Sequence, residues 1–172
     1  MKTNFPTISI DTRKKVPYTF AGMSLYNRLI PTPTQRRTLL TGDYSLAGFE
    51  KIFVIERKSI LDFYRSITQA RDRFEKEVSR MGNMTRAAVV VEGRLPEVLD
   101  PLKYGRRVSP DSILGTVASW YVRYGVPFFF LADRATAEKF VFKLLWQFWK
   151  ENNDLDENGP RSPQDAFNGQ CG

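Results

Sequence analysis

The chain has 172 residues, a formal charge of +7 and an ordinary apolar share, which suits one domain with a sizeable core, since domains commonly run to ~100–200 residues. It holds no histidine and one cysteine, Cys171, so histidine general bases, Ser-His-Asp triads, histidine-held metals, zinc fingers and disulfide frameworks are excluded. A catalytic metal would sit among oxygens, which favours Mg2+ with Mn2+ as its substitute.

No run approaches the ~18 apolar residues that span a bilayer, and MKTNFPTISID at the N-terminus lacks the apolar stretch of a secretory signal. An intracellular chain with no membrane partner, cytoplasmic or DNA-associated, is therefore expected. Charge is unevenly spread. Residues 151–172 set five acids against one arginine, a net of −4, which leaves +11 on residues 1–150 and points to a polyanion as partner. That tail, rich in Asn, Asp, Gly and Pro, is expected to be disordered and outside the folded domain, 1–150.

In chain order, TISIDTR (7–13) alternates into a strand ending at Asp11, which reads either as a strand-end turn residue or as a site acid. Residues 14–36 carry four Pro or Gly and no sustained period, which predicts a loop with one helical turn around 23–30. Arg36 and Arg37 precede a predicted strand, 38–41, that delivers Gly42 and Asp43; Tyr44-Ser45-Leu46 then leads through a turn at 47–48 into strand 50–58. Strand side chains alternate, so Glu56 and Lys58 share one face and Arg57 takes the other. Ile52, Phe53, Val54 and Ile55 ahead of them are apolar on both faces, so this strand is covered on both sides and its terminal charges need partners. Asp43, Glu56 and Lys58 would then converge, two carboxylates able to hold a hard divalent cation and an ammonium able to orient a water. Asp62, three residues after Ser59, reads equally as a helix cap.

From Ser59 a single helix is predicted to about Met81, with Ile60, Phe63, Ile67, Ala70, Phe74, Val78 and Met81 on one stripe. Its other faces carry Arg71, Arg73 and further charges, a solvated surface or a phosphate contact. AAVVVEG (87–93) is a buried strand ending at Glu92, which is either merely exposed or a further site acid. The connection 94–109 presents Lys103, Arg106 and Arg107. A helix follows to Tyr124, stopped by Gly125, then a strand over 126–133 and a helix to about Lys150. That last helix is apolar on two faces, Phe140, Leu144 and Phe148 on one and Phe142, Leu145, Trp146 and Trp149 on the other. It must be sandwiched in the core or paired with a second subunit.

Gly42-Asp43, Glu56-Arg57-Lys58 and Asp62 resemble the G-D-x(n)-E-R-K-x-x-x-D signature of the XPF and Mus-type structure-selective DNA endonucleases. Asp11 and Arg13 resemble the I-D-x-R-E pattern that opens these domains, with Lys14 standing where the family often has Glu. The resemblance implies a restriction-endonuclease-like α/β fold over about 7–150, a mixed sheet with helices on both faces. It implies a Mg2+-dependent DNA endonuclease of repair or recombination type, acting on branched DNA. Asp11, Asp43, Glu56, Arg57, Lys58 and Asp62 form its site, with Asp11, Asp43 and Glu56 on the metal and Glu92 as a possible further acid. Arg13, Arg71, Arg73, Lys103, Arg106 and Arg107 are the implied DNA contacts, and a homodimer through the helices at about 111–124 and 135–150 the implied assembly. No helix-hairpin-helix or helicase segment accompanies the motif, so a standalone catalytic module is expected, with substrate choice left to a partner protein. The alternative is a DNA-binding or scaffolding module of the same fold without turnover.

Overall fold

The computed structural model of the protein describes residues 5–153; the expected disordered tail lies almost wholly outside them. Six strands form one mixed sheet in the order β4-β1-β5-β6-β7-β8. These are β1 (Ile8–Asp11), β4 (Thr34–Arg37), β5 (Tyr44–Leu46), β6 (Phe53–Ser59), β7 (Arg86–Glu92) and β8 (Phe128–Leu131). β5 runs antiparallel to β1 and β6, whereas the β1–β4, β6–β7 and β7–β8 pairs are parallel. Five helices cover it: α1 (Ile60–Ile67), α2 (Arg71–Gly82), α3 (Leu95–Val98), α4 (Pro110–Tyr124) and α5 (Arg134–Asn153). The restriction-endonuclease-like α/β class read from the sequence is the class observed.

Alternation along the strands sorts the core into two layers. Val54, Val89 and Val91 join Phe63, Tyr64, Phe74, Val78, Ile113 and Trp120 from α1, α2 and α4. Phe53, Ile55 and Val90 join Val141, Phe142, Leu145 and Trp146 of α5 on the other side, together with Phe5, Tyr18 and Phe20 from the N-terminal segment. Both apolar stripes of α5 are consumed within this one chain. Phe142 and Trp146 stack on Phe5, with ring centroids 4.9 and 5.8 Å apart, and Phe148 meets Phe53 at 4.5 Å. Phe140, Leu144, Phe148 and Trp149 pack against this layer and remain half-buried.

Three boundaries differ from expectation. The predicted helical turn at 23–30 is a hairpin of two short strands, β2 (Ser24–Leu25) and β3 (Arg28–Leu29). Its two central residues, Tyr26 and Asn27, both take positive φ (49° and 61°), the conformation that matches a two-residue turn to strand twist. The strand expected at 38–41 lies earlier, at 34–37, because the Leu39 amide is drawn to the Asp11 carboxylate (2.8 Å) instead of to a neighbouring strand. The single long helix breaks at 68–70, where the Thr68 hydroxyl donates to the Tyr64 carbonyl at 2.7 Å, a side-chain competitor for helical pairing. The apolar stripe continues in phase across the break, so periodicity alone does not reveal it.

Candidate active site

Three strand ends meet at one edge of the sheet. The Asp43 amide donates to the Ile55 carbonyl (2.8 Å) and the Asp11 amide to the Asp43 carbonyl (2.9 Å), so Asp11, Asp43 and the end of β6 are in register. Gly42 makes this approach possible. Its φ is +77°, and a Cβ there would stand 3.0 Å from the Val54 Cβ and 3.3 Å from the Ile55 oxygen, so any side chain would push the two strands apart.

On the α2 side of the sheet, Glu56 and Lys58 are an ion pair of 2.7 Å with side chains 6 % and 16 % exposed. The Lys58 ammonium lies 4.3 Å from the centre of the Phe74 ring, which fixes the cation from below. Burial, and after it the charge of Asp43, push the Glu56 carboxyl well above its ordinary value, against the pull of Lys58. Burial opposes the Lys58 charge, but Glu56 outweighs it, and the ammonium is held above its ordinary value. Glu77, one turn after Phe74 on α2 and half-buried, contributes negative charge to Glu56, Lys58 and Arg13 alike. The sequence pattern did not single it out.

Asp43 has a different neighbour. Its Oδ2 accepts the Lys14 ammonium at 2.6 Å and the Arg57 amide at 2.9 Å. Lys14 also donates to the Arg57 carbonyl at 3.0 Å. Arg57 itself points to the opposite face, as period two demands, and makes a two-pronged pair with Glu92 (2.8 and 2.6 Å). There Arg57 and Arg134 both lie over the Tyr18 ring, 5.3 and 5.0 Å from its centre, and the Tyr18 hydroxyl donates to Glu92 at 2.8 Å. Burial, then the Glu92 charge, raise the Tyr18 pKa far above its ordinary value. Glu92 is thus occupied on the far side of β6 and does not join Glu56.

Asp11 is 2 % exposed, and both its oxygens are engaged. Oδ1 accepts the Arg13 amide (2.8 Å) and Nε (2.7 Å), and Oδ2 accepts Arg13 Nη2 (3.0 Å) and the Leu39 amide (2.8 Å). Burial opposes its charge, yet these hydrogen bonds prevail and hold the carboxyl below its ordinary value. Among the described residues no three His, Cys, Asp or Glu side chains gather into a metal-holding group. Of the three acids expected at the metal, Asp11 turns to Arg13 and Leu39. Ser59 caps α1, its Oγ accepting the Asp62 amide (3.2 Å) and donating to the carboxylate of Asp62 in the first turn (2.8 Å).

Of the basic residues, Arg73, Lys103 and Arg107 are exposed and Arg106 is half-buried. Arg13 is committed to Asp11 with its side chain 65 % exposed. Arg71 is used inside the protein, donating to Thr116 at 2.8 Å and lying 5.2 Å from the centre of the Trp120 ring.

A mixed six-stranded sheet, helices on both faces and an Asp-Glu-Lys cluster at the strand ends define the class of restriction-endonuclease-like α/β domains. Solved chains share this fold: XPF from Aeropyrum pernix (TM-score 0.61, 20 % identity, 83 % of this chain against 61 % of that one), and XPF from Aeropyrum pernix in complex with DNA (TM-score 0.62, 21 % identity, 85 % against 66 %). This chain thus spans less than two thirds of the length of either. No curated protein matches it in sequence. The ERCC4 domain model matches residues 10–144, and the chain belongs to the ERCC4 domain family.

Proposed function

We propose that the protein is a Mg2+-dependent DNA endonuclease that cuts structured DNA, with Mn2+ able to replace Mg2+. The observation that carries this reading is the side-by-side placement of the buried carboxylates Asp43 and Glu56 with the Lys58 ammonium on Glu56. The donor set fits a hard divalent cation: it is all oxygen, and the burial and the Asp43 charge that together raise Glu56 are what a cation between the two acids would offset. Asp43 and Glu56 would hold the ion, which supplies Lewis acidity and an acidified water when bound. Lys58 would orient an attacking water and stabilise negative charge developing on the phosphate. Arg57 keeps the Asp43 carboxylate in place through its amide, and Asp11 acts as a positioning residue through its backbone hydrogen bond to Asp43. Asp62 serves the site by starting α1, not as a metal ligand.

Arg73, Lys103, Arg106 and Arg107 are the proposed phosphate contacts, which position DNA without reading its sequence. The XPF chain solved with DNA supports this partner. Branch preference would come from a partner protein or from two sites in a homodimer, in a repair or recombination setting. Leu114, Tyr121 and Val122 form an exposed apolar stripe on α4 (44 %, 56 % and 82 %) that such a dimer would bury. Among the described residues no helix is long and apolar enough to cross a membrane.

One observation favours the alternative of a module without turnover: Asp43 is engaged by Lys14. The presence of every acid and the lysine of the motif favours catalysis. The test is incubation with a fork, a four-way junction and a linear duplex, with Mg2+ and with chelator. Metal-dependent products, lost in Asp43→Asn and Glu56→Gln, are expected; binding without any product would establish the module reading. Sedimentation of wild type and Tyr121→Glu at micromolar concentration tests the dimer.

A further inference from the structure

Lys14 is a residue of the site whose placement no local pattern explains. It lies just beyond β1, its amide tied to the Asp11 carbonyl (3.1 Å). Its side chain crosses to β5 and β6 and ends between the Asp43 carboxylate and the Arg57 carbonyl. Its side chain is 18 % exposed and that of Asp43 is 12 % exposed, so this is a shielded contact and not a surface pair of negligible consequence. Both hydrogen bonds to the Asp43 side chain fall on Oδ2. With Lys58 on Glu56, each of the two carboxylates has its own ammonium partner, and Glu77 adds negative charge from α2.

We infer that Lys14 is a tethered counter-ion which a divalent cation must displace from Asp43, so that this lysine sets how much metal the site requires. The inference rests on the metal reading above and deepens it. An ammonium carries one charge and directs hydrogen bonds, whereas a divalent cation carries two and binds the same oxygens directly; both cannot hold Oδ2 at close range without strong like-charge repulsion. Removing the lysine charge frees Asp43 Oδ2 of its ammonium and makes the site one charge more negative, which attracts a divalent cation more strongly. Replacing it with Arg keeps the charge and should leave metal affinity near that of wild type.

The experiment is a Mn2+ titration of the full chain, with free Mn2+ read by electron paramagnetic resonance, on wild type, Lys14→Gln, Lys14→Met, Lys14→Arg and Asp43→Asn. Lys14→Gln and Lys14→Met are expected to bind Mn2+ about tenfold more tightly than wild type and to reach half-maximal cleavage at correspondingly lower Mn2+. Asp43→Asn is expected to lose the site. Unchanged or weaker binding in both neutral Lys14 variants, while Asp43→Asn abolishes it, would overturn the role of Lys14 and leave the metal reading standing. Mn2+ binding indifferent to Asp43→Asn would overturn both. Melting curves with and without Mn2+ identify a variant that does not fold, and the second neutral variant then decides.

Discussion

Asp11 and Asp43 stand at neighbouring strand ends, both buried, and joined through the backbone. Asp11 is saturated by four hydrogen bonds from its own segment and the loop after β4, whereas the contacts of Asp43 are one amide and one ammonium on a flexible stem. A carboxylate whose two oxygens are each tied to a backbone amide and to one arginine fork holds the fold together. One whose main partner is a single ammonium can trade that cation for another, and the same residue type then becomes available for chemistry.

The largest expected effect that separates the two is on turnover. Asp43→Asn should reduce cleavage by about 10²–10³-fold or more, with melting temperature and DNA binding close to wild type, as read by gel assay beside fluorescence anisotropy. Asp11→Ala should instead lower stability by about 3 kcal/mol, since it strands the Leu39 amide and the Arg13 fork, and urea denaturation would read this. The acid-range behaviour sharpens the contrast. The folded Asp11 carboxyl titrates below its ordinary value, so its contribution is complete above the unfolded pKa of about 4 and is lost as pH falls through the folded value. The stability gap between wild type and Asp11→Ala should be widest near neutrality and shrink in acid.

Smaller effects test the frame around these residues. Gly42→Ala should cost about 1–2 kcal/mol from its positive φ, together with a fall in turnover as Asp43 shifts, measured on the same samples. Smallest is the contrast between two arginines two positions apart. Arg73→Ala should lower the salt dependence of DNA binding by about one phosphate's worth with stability unchanged. Arg71→Ala should destabilise the α2–α4 contact and leave the salt slope in place. Equal salt slopes for the two would remove α2 from the DNA-facing surface.

What could be read in advance follows the range of the interactions. Glu56, Arg57 and Lys58 separate to two faces because strand alternation is local, and the Gly125 stop of α4 is local too. The mixed sheet with two helical layers was legible from element order and from the apolar run ahead of Glu56. Lys14 on Asp43 was not, because it depends on a turn that carries a side chain across two strands. Glu77 was hidden by the break at 68–70, which sets the direction of α2 independently of α1. The double apolar character of α5 left two outcomes open, and the answer lay in Phe5, Tyr18 and Phe20, far away in the chain and without a period of their own.

That last arrangement has a consequence for the order in which the protein acquires its structure. The layer beneath α1, α2 and α4 draws its residues from a continuous stretch, Val54 to Phe130, and can close while the chain is still being made. The layer beneath α5 joins Phe5 to Phe142 and Trp146, and the amides of Thr19 and Phe20 to the Glu138 carboxylate (2.9 and 2.6 Å). Its first aromatic residues leave the ribosome more than a hundred residues before their partners. At a synthesis rate of roughly 5–20 residues per second, Phe5 waits about 7–27 s for Phe142, while Tyr18 and Phe20 can already pack on Tyr44. This interval is the one in which a chaperone, or a second nascent chain, has access to the N-terminal apolar segment.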